Sequence, residues 1–490
     1  MKTHKLIYCI LLIFITVPLH LAAQNKEVPV TTSSNEAKDL FLEAREQIEN
    51  METIAATDLL DQAIAKDPGF ATAYLYRSQS GGGFNVFRQN LDKAVSLADN
   101  VSEGEKYQIL YTQAQADGNG VKAKEYLDLL LKDFLSDKRI QTQAGTHFFG
   151  NQDYSQALDH FTKAVKLDKD YAAAYNMIGY CQSALNNFPE AEKAFQTYIQ
   201  LVPENGNPYD SYAELLLKMG KYDESIAQYK MAFEKDPVNL VVSLSGIGHN
   251  YIFKGDFEAA RNYYQESFDK ATTPSGKLSA LYWKATSFLH EGKVDEAVNA
   301  FDDYRSLAEK ENLSTNAIYS YANQGFILTE TGNSAEGMKY YEKAIDLIGK
   351  SEFSKIDKDN FMTQAGLWKY YNLTAKGDFE KARAEADKVK QKIESRQNQN
   401  EEMLFNSLLG YAAYKMGDFD QAIQLYSKAD AEDPLNWYYQ AMGYHKKGDN
   451  QKAATILEKI KTSNVNTLNL ALVRNKALEN LAMEDFKSDR

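Results

Sequence analysis

The sequence predicts an all-α protein: a solenoid of about twelve antiparallel helix pairs. Three observations carry that expectation. The stretch GKYDESIAQYKMAFEKDP at 220–237 returns, nearly unchanged in pattern, as GDFDQAIQLYSKADAEDP at 417–434. Turn-like anchor positions at 118, 152, 186 and 220 stand 34 residues apart. Within each copy the apolar residues fall 2, 5, 9 and 12 positions after the anchor, which is helical spacing. Nine prolines and few β-branched runs argue against an all-β fold.

The N-terminus reads differently from the rest. Lys2 and Lys5 precede an apolar run from Leu6 to Val17, and small residues follow at Ala22 and Ala23. That is the layout of a secretory signal peptide, so residues 1–23 are read as a signal segment cut after Ala23. A retained membrane anchor is the competing reading. Cleavage removes two lysines and no acid from a chain of formal charge −13, which disfavours a nucleic-acid partner. It also removes Cys9, leaving Cys181 alone; mid-helix and without a cationic neighbour, it is expected to be a buried structural thiol. No later apolar run is long enough to span a bilayer. An exported, periplasmic or extracellular protein is expected, with residues 24–35 a flexible lead-in.

The first array is read as 36–350. Its earliest copies are worn: Met51 with Leu60, Ala63 and Pro68; Gly82 with Phe87, Leu91 and Ala94; Gly118 with Ala123 and Leu127. Gln152 is followed by Tyr154, Ala157, Phe161 and Ala164, and Asn186 by Phe188, Ala191, Phe195 and Tyr198. Gly220 gives Tyr222, Ser225, Tyr229 and Ala232; Gly255 gives Phe257, Ala260, Tyr264 and Ser267; Gly292 gives Val294, Ala297, Phe301 and Tyr304. Gly332 heads a weaker copy. Upstream of each anchor lies another helix, such as NPYDSYAELLLKM, so one helix should end near Met219 and the next begin near Tyr222. Residues 351–402, around Gly377, have long intervals and are read as an irregular repeat with long helices. Residues 403–462, with Gly417 and Gly448, return to the pattern. Residues 463–490 carry an amphipathic stretch without an anchor, read as a capping helix and tail.

This alternation of aromatic and small residues at a 34-residue period resembles the tetratricopeptide repeat (TPR) family, in an exported bacterial form, over about residues 36–462. The resemblance implies a TPR α-solenoid, a right-handed superhelix whose concave wall is made by the first helix of each pair. No pair can bury its own apolar face, so neighbours must stack.

A search for chemistry returns little. The glycines of SQSGGGFNVF at 78–87 fall on a repeat turn, without the strand and Lys-Ser end of a phosphate loop. His147, His160, His249, His290 and His445 form no H-x-x-x-H pair, so no metal is expected. No nucleophile elbow is present. The chain is read as not an enzyme, and no cofactor is expected.

Function should then sit where packing makes no demand. Positions 10 and 6 before each anchor share one face of the first helix, which by the resemblance lines the groove. Six before, the chain places Tyr180, Glu214, His249, Thr286, Phe326, Tyr411 and Met442; ten before, Asn176, Asp210, Ser245, Tyr282, Ala322, Ser407 and Tyr438. Tyr319 adds a further aromatic thirteen before Gly332. The candidate groove residues are Asn176, Tyr180, Asp210, Glu214, His249, Tyr282, Tyr319, Phe326, Tyr411 and Tyr438, with the aromatic rings partly exposed. None is Lys or Arg, so the carboxylate clamp of some family members is not expected. The reading is a non-catalytic scaffold that binds a protein or peptide partner through the concave groove. The alternative is a carbohydrate-binding protein of a nutrient-uptake system.

Overall fold

In the computed structural model, residues 26–483 and 486 are described, and the expected signal segment at 1–23 lies outside them. The described residues form 25 α-helices and no strand. Pairs one to four are α1 (Asn35–Glu49) with α2 (Thr53–Lys66), α3 (Ala71–Gln79) with α4 (Gly83–Leu97), α5 (Glu103–Ala116) with α6 (Gly120–Asp133), and α7 (Lys138–Gly150) with α8 (Tyr154–Leu167). Pairs five to eight are α9 (Ala172–Ala184) with α10 (Phe188–Leu201), α11 (Asn207–Lys218) with α12 (Tyr222–Lys235), α13 (Val242–Lys254) with α14 (Phe257–Lys270), and α15 (Pro274–His290) with α16 (Val294–Lys310). The last four are α17 (Ser314–Glu330) with α18 (Ser334–Lys350), α19 (Lys355–Lys376) with α20 (Phe379–Arg396), α21 (Gln399–Met416) with α22 (Phe419–Tyr426), and α23 (Pro434–Lys446) with α24 (Asn450–Thr462). One unpaired helix, α25 (Leu468–Ala482), ends the described fold.

The anchors are left-handed backbone positions. Gly220 and Gly417 have φ of 74° and 85°, and where glycine is missing Gln152 and Asn186 take 61° instead. That conformation closes the first helix: the Lys221 N–H reaches the Leu216 carbonyl at 2.9 Å and the Asp418 N–H reaches that of Ala413 at 2.9 Å. The next residue opens the second helix, because the side chains of Asp153, Asp256, Asp418 and Asp449 each accept an N–H of the first turn. One dipeptide thus stops one helix and starts the next.

Packing within a pair follows from two offsets, a small residue 7 before the anchor and an aromatic 9 after it. A Cβ on Gly179 would lie 2.5 Å from the Phe195 ring, and one on Gly248 2.5 Å from that of Tyr264. Ala213 with Tyr229 and Ala285 with Phe301 occupy the same offsets and are buried. Ala191, Ala260 and Ala297, five after their anchors, are fully buried as well. So is Cys181, whose thiol burial pushes up to about 12.

Successive first helices touch one another (α11 with α13, α13 with α15, α17 with α19, α19 with α21), and successive second helices make no comparable contact. The first helices therefore line the inside of the curve. The turns of the solenoid also meet. Arg88 on α4 pairs with Asp357 on α19, Asn205 Nδ2 donates to the Asn50 carbonyl at 2.7 Å, and Gln152 Nε2 donates to Asp430 at 2.8 Å.

Two expectations need correction. Residues 26–34 are not a loose lead-in. The Val28 N–H donates to Asp137, Thr31 donates twice to Glu105, and Thr32 and Ser33 donate to Asp67, so the segment crosses the starts of α3, α5 and α7. The terminal helix does not simply cap the stack with a polar face outward. It packs on α23 and α24 and also on α15, ten helices back. Leu468, Leu470, Leu472 and Val473 are buried in one cluster shared by α15–α17 and α23–α25. Each such side chain contributes roughly 1.5–3 kcal/mol, so α25 fastens the two ends of the second half together.

Candidate functional site

The concave wall is divided by the chain itself. Between α24 and α25, residues 463–467 run without helix across the first helices. Asn464 accepts a hydrogen bond from Tyr222 Oη at 2.9 Å. Asn466 Oδ1 accepts from His290 Nε2 at 2.8 Å while its Nδ2 donates to His249 Nδ1 at 2.9 Å. A cavity lies on either side of this crossing.

The first, about 370 Å³, gathers Tyr180, Glu214 and His249 with Lys218, Trp283 and Asn464–Asn466. Tyr180 Oη donates to Glu214 at 2.7 Å, and the His249 and Trp283 ring centroids are 4.5 Å apart. Ser243 Oγ donates to Asp210. Enclosure raises both acids, and the Asp210 charge raises Glu214 further; solvent reaching Glu214 screens part of that effect. Burial lowers His249 to about 3, with His290 adding to it.

The second cavity, about 450 Å³, gathers Tyr282, Tyr319, Phe326 and Tyr411 with Trp368, Tyr371, Tyr426, Asp433 and Tyr439. Tyr371 stands 5.5 Å from Phe326 and 4.9 Å from Tyr411, and Tyr439 stands 4.8 Å from Tyr411, measured between centroids. Because two rings close over it, Tyr411 is only 5% exposed, against the expected partial exposure. Tyr180, Tyr282, Phe326 and Tyr438 are half-buried, and Tyr319 is 39% exposed at the rim.

Three candidates, Asn176, Asp210 and Tyr438, line neither cavity. Asn176 lies at 3.5 Å from Asn207 in a depression shared with Arg139 and Tyr171. Tyr438 sits against α25, its hydroxyl 3.4 Å from Asn480 Nδ2. Tyr371 was missed although it stands six before Gly377, the offset used for the other units. Tyr426 stands nine after Gly417, the offset read as packing, while Asp433 belongs to a turn and Asn464 and Asn466 to an interval without repeat pattern, so spacing marked none of them as site residues. Among the described residues no cluster of three His, Cys, Asp or Glu could hold a metal ion, and no helix is long and apolar enough to cross a membrane.

Known proteins bear on this architecture. One family model described as tetratricopeptide repeat matches residues 142–206, 246–312 and 407–464, and a second of the same description matches 318–350. A TPR repeat-containing protein of Methanocaldococcus jannaschii is 24% identical over 354 residues, 66% of this chain and 57% of that protein. Hsp70-Hsp90 organizing protein 1 of Glycine max is 28% identical over 150 residues, 30% of this chain and 25% of that one. The chain thus spans less than two thirds of the length of these curated relatives. Among solved structures, a tetratricopeptide repeat protein from Parabacteroides merdae is 13% identical with a TM-score of 0.34, covering 59% of this chain and 99% of that one. Residues 142–206, 246–312, 318–350 and 407–464 thus match tetratricopeptide repeats, and the described residues fold as an α-solenoid.

Proposed function

We propose that the chain is a non-catalytic scaffold of the periplasm or cell surface, which holds a protein partner by an extended segment laid across its concave wall. TPR proteins generally mediate protein–protein interactions, and the Glycine max relative is named for organizing two other proteins. The observation that carries the reading is the seating of residues 463–467. Side chains of an extended stretch are held by His249, His290 and Tyr222, which is how a foreign peptide would be held. The Lys, apolar, small layout of residues 1–23 supports export.

A pull-down from an envelope extract, using the full chain and a Tyr319→Ala, Trp368→Ala variant, tests it. Wild type should retain a defined polypeptide that the variant, checked by thermal melt to be folded, loses; equal retention would move the binding surface off this wall. The aromatic second cavity also suits a sugar, which stacks on ring faces. Retardation in a polysaccharide-loaded gel would favour that alternative.

A further inference from the structure

The second cavity is built for a particular charge. Of the side chains lining it, Asp433 is the only ionisable acid, and none is Lys, Arg or His. Its Oδ1 accepts from the Leu435 N–H at 2.8 Å and from Asn469 Nδ2 at 2.9 Å, while no bond from the described residues falls on Oδ2. Tyr426 is 5% exposed, and its hydroxyl is buried without any hydrogen-bond partner. A buried polar group left unpaired is costly, so it points to a group that the isolated chain does not supply.

The walls complete the pattern. Tyr371 and Tyr439 donate their hydroxyls to Glu330, so what they offer the cavity is ring. Tyr319 and Leu404, 39% and 46% exposed, mark a mouth open to solvent between α17 and α21. An apolar stem can pass that mouth, and a cation behind it meets aromatic faces and one carboxylate.

Resting on the scaffold reading above, we propose that this cavity is a specificity pocket for a basic side chain, lysine or arginine, of the partner polypeptide. Its N–H groups bond Asp433 Oδ2 and the Tyr426 hydroxyl oxygen, and its stem lies among the rings. A carboxylate is repelled by Asp433. A quaternary ammonium has no N–H for either oxygen, and a neutral sugar leaves the carboxylate without a counter-charge. Burial pushes Asp433 up to about 6, so a cation at Oδ2 also holds it ionised.

The test uses the purified full chain and N-acetyl-lysine methylamide, N-acetyl-arginine methylamide, N-acetyl-norleucine methylamide and a neutral methyl glycoside, titrated by calorimetry. The two basic amides should bind at least tenfold more tightly than the norleucine amide. Asp433→Asn keeps an amide oxygen for the start of α23 and should remove that tenfold preference without changing norleucine binding. Tyr426→Phe should weaken the basic amides a few-fold, and thermal melts check that both variants fold. Equal binding of lysine and norleucine amides, binding of no amide, preference for the glycoside, or an unaltered preference in Asp433→Asn would each overturn the proposal. Because the probes need no partner, a positive titration beside a failed pull-down would leave the pocket standing and remove the scaffold reading.

Discussion

Asn466 lies 2.9 Å from His249, 217 positions earlier in the chain, and its amide donates to the Nδ1 of that ring. Tyr264 Oη lies 2.9 Å from the same nitrogen, and burial favours the neutral ring. The other end of the Asn466 amide takes the Nε2 proton of His290. One asparagine thus joins two first helices to the last part of the chain, and holds it on the wall where the candidate groove residues lie.

Acid should loosen that clasp. Burial lowers His290 to about 4 and His249 to about 3. A depressed folded pKa gives stability that is present above the unfolded value, near 6.5, and is lost as pH falls through the folded value. At pH 5 the His290 share of that loss is on the order of 2 kcal/mol. Hydrogen exchange of residues 463–482, corrected for intrinsic rates, should be faster at pH 5 than at pH 7.5 in wild type and nearly pH-independent in an Asn466→Ala variant. Unchanged protection at pH 5 would show that the two histidines do not hold the segment.

The offsets that close each pair make a second expectation. Ala260 is fully buried between helices, and Ala260→Leu should overpack the array and cost about 1–3 kcal/mol. Gly248→Ala should be destabilising too, because its new methyl meets the Tyr264 ring at 2.5 Å. Denaturant melts decide; an unshifted midpoint in both variants would mean the packing register is wrong.

Exposure separates two aromatics of the second cavity. Tyr411, 5% exposed, should behave as core, and Tyr411→Ala should cost roughly 3–5 kcal/mol. Tyr319, at the rim with 39% exposed, should lose less than about 1 kcal/mol on truncation. Similar losses for both would place Tyr319 in the core and away from binding.

The contact between turns can be tested through Arg88 and Asp357, which are nearly buried and 269 positions apart. Removing one partner of a buried ion pair costs roughly 3–5 kcal/mol because a charge is left behind. Arg88 keeps its pairing with Asp117 at 2.9 Å, so Asp357→Ala should melt below wild type by less than that figure, and adding Arg88→Met should recover part of the loss. A double variant that falls by the sum of the two single losses would argue against a coupled pair.

These particulars show what the sequence could carry. Anchors, helix ends at Met219 and Tyr222, and the small residue facing an aromatic are local or lie within one repeat, so spacing alone revealed them. The same spacing placed Tyr282, Tyr319, Phe326 and Tyr411 beside one cavity. It could not show that Tyr371 and Tyr439 would close over Tyr411, since that depends on how successive pairs rotate. Nor could it show that residues 463–467 cross the wall, or that Thr31 would find Glu105, because those contacts join segments that share no repeat offset. Stacking reads out from a period; the placement of segments outside the period does not.

The central claim is that the concave wall receives a protein segment. The most direct measurement places a photo-cross-linking residue at Tyr319 on α17 in one full-length variant and at the exposed Met231 on α12 in another, then maps the cross-links formed in envelope extract by mass spectrometry. Tyr319 should capture a discrete stretch of one partner polypeptide containing a lysine or arginine, with no such capture at Met231. Cross-links at Met231 and none at Tyr319 would contradict it.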